Sequence, residues 1–293
     1  MEDHKYCPLC AHNVLVNRFA GKDYFLTQEE FLVQQCAACG LWVTNPYPDP
    51  QQSSVYYKSD KYYSHPGKKM NLLALAYHAV KKRNIRSKTN LVNKYISEGS
   101  ILDIGCGSGS FLQSCKNLGF EVTGVEKDTD ARDYCLEHLK LKVFSPDHLS
   151  LIPGHSQNVV TLWHVLEHIH DLSAFLNLML TWMKPGSYLF LALPNPDSPD
   201  AKYYGTYWAG WDLPRHLYHF PPETVKILGE RFGLMHIETL PMTWDAFYVG
   251  ILSEQYRHST LAPLKGLWQG LKSNILAKRT LNFSSLIYVF KKQ

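Results

Sequence analysis

Between residues 99 and 240 of this 293-residue chain, short apolar runs alternate with helical patterns. SILDI (100–104), FEVTGV (120–125), LKVF (141–144), NVVTLW (158–163) and SYLFLAL (187–193) read as strands. LMHIETL (234–240) makes a sixth, and SLIYVF (285–290) a closing seventh. Between them, Phe111, Leu112, Cys115 and Leu118 share one helical face, and Leu172, Phe175, Leu176 and Met179 share another. Val225, Leu228 and Phe232 share a third, in a helix that Pro222 can open. This alternation predicts βαβ units and a mostly parallel sheet.

The flanks differ from this body. Residues 1–45 hold four of the seven cysteines. Residues 46–98 read as a linker and helical cap: a NPYPDP turn, the tyrosine-rich YYKSDKYY, then a basic helical pattern from about Lys69 to Tyr95. Residues 99–293 form the main domain. Within it, 241–282 intervene where a hairpin would join the last two strands, which marks them as a lid insertion. LAPLKGLWQGLKSNILAKR sets Leu264, Trp268, Leu271 and Ile275 on one helical face, with Lys265 and Lys272 away from it. One reading is a lid or a dimer-packing helix, which leaves monomer and homodimer both open. The other is a basic interfacial helix, 261–280, in peripheral contact with a membrane. Gly266 and Gly270 weaken it as an isolated helix.

Composition narrows the class. Apolar residues make up 45 % and charged residues 19 %, as in a globular protein, and the net charge is 30 − 26 = +4. That is too small to imply nucleic acid without a clustered basic face. The start, MEDHKYC, is acidic and leads into no apolar core, so no secretory signal is expected. No apolar run approaches the ~20 residues that span a bilayer. A cytoplasmic location is the default expectation, and thiols there stay reduced.

Cysteines in that setting are ligands or core before they are disulfides. Cys7-Pro-Leu-Cys10 and Cys36-Ala-Ala-Cys39 are two C-x-x-C knuckles, which together can hold one ion in a tetrahedral S4 site. Zinc in a small ribbon is the expectation, and rubredoxin-like iron is the alternative. Four protein ligands leave no open position, so the metal would be structural. Residues 11–35 offer only Arg18 and Lys22 against Asp23, Glu29 and Glu30, which argues against a phosphate-binding face.

ILDIGCGSGSFLQ (101–113) joins the first strand of the main domain to a helix through Gly105, Gly107 and Gly109. Such a turn brings backbone close to a ligand. The dinucleotide fingerprint is G-x-G-x-x-G, and here the third glycine comes one residue early. Asp103 would repel a pyrophosphate and would suit a ligand carrying an ammonium and a sulfonium charge. Glu126, at the end of the second strand, can accept both hydroxyls of a ribose.

LDIGCGSG followed by GVEKD resembles the S-adenosylmethionine (SAM) site of the class I methyltransferases. NVVTLWHVLEHIHD (158–171) resembles the fourth-strand motif of the same superfamily, closest to the branch with the ubiquinone-biosynthesis O-methyltransferases. The resemblance implies an α/β, Rossmann-like seven-stranded sheet with flanking helices, beside the small zinc ribbon. It also implies roles. Gly105, Gly107 and Gly109 would line the methionine portion of SAM, with Cys106 a small residue inside the turn. Asp103 would orient the turn and the SAM ammonium. Glu126 would bind the ribose and Lys127 border the adenine, with Asp147 the polar candidate after the third strand. Trp163 and His164 would close the other side, and Tyr62 and Tyr63 resemble tyrosines that cover the SAM carboxylate.

The segment after the fifth strand, DSPDAKYYGTYWAGWDLPRHLYHF (197–220), is too rich in aromatic and ionisable groups for mere connection. Tyr207, Trp208, Trp211, Asp212, Arg215 and His219 are its substrate-binding candidates. RHLYHF resembles the HEHLxYF stretch of sugar C-methyltransferases, whose second histidine is the base, and this maps to His216. Amino-terminal zinc modules also occur in those enzymes. Here Arg215 replaces the acid and His219 the tyrosine. His164 is the second candidate base, and a site with no dedicated base is the third reading. The expectation is a SAM-dependent methyltransferase acting on a small or medium metabolite: a sugar, a lipid-linked saccharide or a quinone-like acceptor. Methylation of RNA or protein, and a non-catalytic SAM-binding module, are the alternatives.

Overall fold

A computed structural model describes residues 1–57 and 72–293. Three strands open the chain: β1 (Leu15–Lys22), β2 (Glu30–Cys36) and β3 (Trp42–Asn45). After α1 (Leu72–Tyr95) come β4 (Ser100–Ile104), α2 (Ser110–Lys116), β5 (Glu121–Val125), α3 (Thr129–Glu137) and β6 (Lys142–Phe144). The alternation continues through β7 (Gln157–Trp163), α4 (Leu172–Trp182) and β8 (Met183–Pro194). The last third holds α5 (Pro199–Tyr204), β9 (Tyr218–His219), α6 (Pro222–Arg231), β10 (Leu234–Pro241), α7 (Asp245–Tyr256), α8 (Ala262–Thr280) and β11 (Ser285–Lys292).

The main sheet has seven strands in the order β10-β11-β8-β7-β4-β5-β6. Pairs β4–β5, β4–β7, β5–β6 and β7–β8 are parallel, while β11 runs antiparallel between β8 and β10. This is the expected Rossmann-like methyltransferase sheet. The apolar runs place its strands to within a residue or two, except that β8 starts at Met183 rather than Ser187. Pro185 and Gly186 hid that early start, and Gly186 adopts a positive φ of 76°. The strand order changes direction around β4 and β7, so the crevice at their carboxyl ends is where a ligand belongs.

The amino-terminal sheet has the order β1-β2-β3-β9, and its fourth strand begins 173 residues after the third ends (218 − 45). Trp42 pairs with His219, and Val43 with Tyr218. Cys7, Leu9, Cys36, Leu41 and Val43 belong to the same buried cluster as Leu162, Leu166, Leu217 and Phe220. The ribbon and the main domain therefore share one core.

Residues 241–282 are mostly two antiparallel helices, α7 and α8, which meet backbone to backbone. A Cβ on Gly250 would lie 2.6 Å from the Gly266 carbonyl oxygen, and one on Gly266 would lie 2.4 Å from the Ile251 nitrogen. The pair packs on the aromatic segment: the Tyr204 hydroxyl donates to the Gly250 carbonyl, and the Ala209 amide donates to Ser253 Oγ. Helix propensity alone would make Gly250→Ala stabilising by ~1 kcal/mol. Here the methyl meets backbone that cannot swing away, so we expect a net loss of roughly 1–3 kcal/mol in denaturant unfolding.

Candidate active site

The turn after β4 is built by close packing on two sides and left open on the third. Gly105, Gly107 and Gly109 all have positive φ, at 70°, 51° and 68°. A Cβ on Gly105 would come within 2.5 Å of Val165, and one on Gly109 within 2.8 Å of Cys135 Sγ. At Gly107 a Cβ would meet nothing within 4 Å. Glu126 holds this open position from beneath: its carboxylate accepts from the amides of Gly107 at 2.7 Å and Asp128 at 2.9 Å. Asp103 is buried and accepts the Thr161 hydroxyl of β7 at 2.6 Å. Burial pushes its carboxyl up to about 7, against the pull of Thr161 and of the Lys88 ammonium.

Around the turn, Cys106 points inward, where its sulfur would be 2.6 Å from a Cβ on Gly124. Burial and the neighbouring Asp103 raise its thiol far above the ordinary range, so it is no nucleophile at neutral pH. Lys127 sits 6.0 Å from the centre of the Tyr57 ring. Asp147 is exposed and accepts the Ser145 hydroxyl at 3.1 Å. Trp163 packs edge-on to Phe111, the Lys88 ammonium lies 4.5 Å from its ring centre, and its buried indole N–H has no partner among the described residues. Tyr62 and Tyr63 lie outside the described residues. An open glycine cradle, a buried carboxyl, a second carboxylate at the next strand end and an orphaned N–H form a donor set that fits SAM.

The residues after β7 build the second half of the site. His164 has a left-handed backbone, φ 61°, uncommon for a residue with a Cβ. It turns the imidazole between two carboxylates: Nε2 lies 3.1 Å from Asp245 of α7, and Nδ1 lies 3.4 Å from Glu167. Burial alone would lower its pKa, but Asp245 and Glu167 outweigh it and hold it at about 9. In this arrangement His164 is a cation at neutral pH with both nitrogens engaged. Glu167 is fully buried, and burial works against its charge; the surrounding imidazoles keep its carboxyl below the usual range. Its Oε1 lies 3.4 Å from His164 Nδ1 and 4.0 Å from His216 Nε2.

His216 faces that carboxylate. Its Nδ1 is 3.0 Å from the Gly210 carbonyl oxygen, which can only accept, so Nδ1 carries the hydrogen. Its other nitrogen, Nε2, lies 4.0 Å from Glu167 and 3.9 Å from Asp212. His168 packs against the His216 ring at 4.7 Å, and its Nδ1 donates to the Arg215 carbonyl. Burial and the adjacent His216 bring His168 down to about 4, and they push His219 well below its ordinary value, so both are neutral.

Arg215 is wholly buried, with every contact inside the protein. Its guanidinium donates to Asp212 at 2.8 and 2.9 Å, to Asp23 at 3.0 Å and to the Tyr56 carbonyl at 3.1 Å. Trp208 and Trp211 are buried too: their indole nitrogens donate to Asp200 and to the Gly205 carbonyl, and Trp211 stacks on Trp42. Tyr207 is the exposed member, 4.9 Å from the Tyr24 ring. His219 Nε2 is 3.1 Å from the Thr44 hydroxyl, which donates to the His216 carbonyl at 2.7 Å. The structure thus brings His216, Asp212 and His164 together around Glu167 and sets Arg215, Trp208, Trp211 and His219 behind them. Sequence reasoning missed Lys88, Asp245 and Asp23, which reach the site from a cap helix, a helix of the expected lid and a ribbon hairpin. No linear spacing could have signalled them.

Cys7, Cys10, Cys36 and Cys39 place their sulfurs within 4.8 Å of one another, with Cys7–Cys39 and Cys10–Cys36 at 3.5 Å. Zn–S bonds of about 2.3 Å in a tetrahedron put sulfurs roughly 3.8 Å apart, so the donor set fits structural zinc. In the ribbon, Lys22 pairs with Glu30, and Arg18 lies over Trp42.

Comparison with known proteins agrees with this fold and turn. The chain belongs to the methyltransferase-domain family, which it matches over residues 77–239. It is 32 % identical over 102 residues to the ubiquinone biosynthesis O-methyltransferase of Xanthomonas axonopodis pv. citri (strain 306), covering 32 % of this chain and 43 % of the relative. The enzyme of that name from Xanthomonas oryzae pv. oryzae (strain PXO99A) is 30 % identical over 129 residues, 41 % of this chain and 54 % of its own. The matches thus span about half the length of these curated relatives. Geranyl diphosphate C-methyltransferase of Streptomyces coelicolor A3(2) shares the fold, with a TM-score of 0.50 and 13 % identity over 72 % of this chain and 80 % of that one.

If the four thiolates hold zinc, Cys36→Ser will lose the metal from the purified protein, measured by elemental analysis. It will also lose several kcal/mol of stability, because the metal site is part of the shared core. Unchanged metal content would refute the site.

Proposed function

We propose that this protein transfers the methyl group of SAM to a small or medium-sized metabolite: a sugar, a lipid-linked saccharide or a quinone-like acceptor. One observation carries the reading. The glycine turn follows β4 and the His164–Glu167–His216 cluster adjoins the end of β7, and Asp103 of β4 accepts the Thr161 hydroxyl across that parallel strand pair. This supports a donor site at the end of β4 beside a proton-accepting group near the end of β7. When bound, SAM supplies an electrophilic methyl on a good leaving group. Asp103 would meet its ammonium and Glu126 its ribose hydroxyls, and the Trp163 N–H is free to donate.

The acceptor atom must lose a proton as it gains the methyl. His216 can take that proton at Nε2, because Gly210 holds the other hydrogen at Nδ1. Glu167 and Asp212 would stabilise the resulting imidazolium. His164 is less suited to the task, since its nitrogens are already committed to Asp245 and Glu167. Arg215, with its charge spent on Asp212 and Asp23, would hold the loop that carries His216. The acceptor would then touch Tyr207 and Asp212, the partly exposed members among its substrate-binding candidates. The buried walls around His216 favour a small acceptor over RNA or protein.

Two measurements test this reading. His216→Ala should leave SAM binding intact by calorimetry and lower turnover roughly 10²–10⁴-fold, and unimpaired turnover would sink the assignment. SAM binding should also report on Asp103. An ammonium ligand favours the ionised carboxylate, whose pKa in the free protein is about 7. Affinity should therefore level off above that pH and fall by about tenfold per unit below it, with release of a proton on binding. Asp103→Asn should weaken SAM and flatten the profile.

A further inference from the structure

Helix α8 is built inside out. Its protein-facing side carries Gly266, Gln269, Gly270, Ser273 and Ala277, all buried. The glycines press against the backbone of α7, and the Ser273 hydroxyl donates to the buried Asp200 at 2.7 Å. The large apolar residues point the other way: Leu264 is 65 % exposed, Trp268 69 %, Leu271 43 % and Ile275 57 %. At 100° per residue these four fall within about 60° of arc, opposite the buried face. Leu261 and Leu281, one at each end of the helix, are each 67 % exposed and have left-handed backbones, where glycine or asparagine would be easier. A solvent-facing helix normally shows the reverse distribution.

Charge identifies what covers this face. Residues 262–280 contain Lys265, Lys272, Lys278 and Arg279 and no acid. Lys278 flanks one side of the apolar row, and Lys265, Lys272 and Arg279 flank the other. None of the four is in an ion pair among the described residues. A second copy docked on the same face would bring these cations together with no carboxylate on the helix to pair them. The helix is too polar to cross a bilayer, and no helix among the described residues is long and apolar enough to do so. We propose that α8 lies flat on an anionic lipid bilayer, with Leu264, Trp268, Leu271 and Ile275 in the acyl boundary and the lysines and arginine reaching up to lipid phosphates. The glycine contacts to α7 offset the poor helix propensity of the segment, and they free the large side chains for the membrane. The proposal stands on this surface alone and does not depend on the reaction catalysed.

The test is flotation of the full chain with vesicles of phosphatidylcholine alone and of phosphatidylcholine mixed with phosphatidylglycerol. The chain should partition onto the anionic vesicles at least about tenfold better, and high salt should reverse the difference. Trp268→Ser with Ile275→Ser, and separately Lys265→Glu with Lys272→Glu, should each lower that partition at least about tenfold. Both pairs alter exposed side chains, so circular dichroism and the thermal midpoint should not move. Failure of the unaltered chain to float with anionic vesicles overturns the proposal. So does undiminished binding by both altered chains. A dimer in light scattering that the Trp268→Ser change converts to monomer would assign the face to a second copy instead.

Discussion

The buried guanidinium of Arg215 is the interaction on which the rest of this structure depends. A charge at 1 % exposure is tolerable only when it is paired and hydrogen-bonded, and every partner here comes from a different part of the chain. Asp212 lies three residues back in the aromatic segment, Tyr56 lies in the linker, and Asp23 sits at the β1–β2 hairpin. Asp23 also accepts the amides of Phe25, Leu26 and Thr27, so one carboxylate both shapes the hairpin and anchors the arginine. Removing either acid would leave the cation with one carboxylate and an unmet donor in the interior. The ribbon is therefore more than an appendage: through Arg215 and the β3–β9 pairing it fixes the loop that carries His216.

The same logic organises the titratable groups beside the turn. Glu167 is as buried as Arg215, and imidazoles rather than a guanidinium surround it. His164 answers with a full positive charge, shared with Asp245, while His168 and His219 are driven neutral by burial and by His216. The cluster thus sets one imidazolium, His164, and two neutral rings, His168 and His219, around His216 and Glu167. Because Asp245 belongs to α7, the helices inserted before the last strand take part in this balance. Their outer surface, with its exposed apolar row and basic flanks, is a separate device on the same element.

Much of this was legible in the chain itself. Apolar periodicity fixed the strands of the main sheet, since alternate burial and strand length are local properties. The C-x-x-C pairs and the glycine turn announced themselves because their chemistry depends on residues two or three positions apart. The amphipathic row of α8 was visible as a periodicity too.

What lay beyond the linear pattern was direction and partnership. Periodicity groups Leu264, Trp268, Leu271 and Ile275 but cannot say whether that face points inward. The close approach of two glycine-bearing helices turned it out. The sequence lists Arg215 among the substrate-binding candidates, and the fold spends its charge on Asp212 and on Asp23, 192 positions away. The pairing of β9 with β3, and the roles of Lys88 and Asp245, likewise arise from contacts between distant segments. A sequence encodes which groups are present and their local spacing. Burial decides their protonation and partners, and burial exists only once the chain has packed against itself.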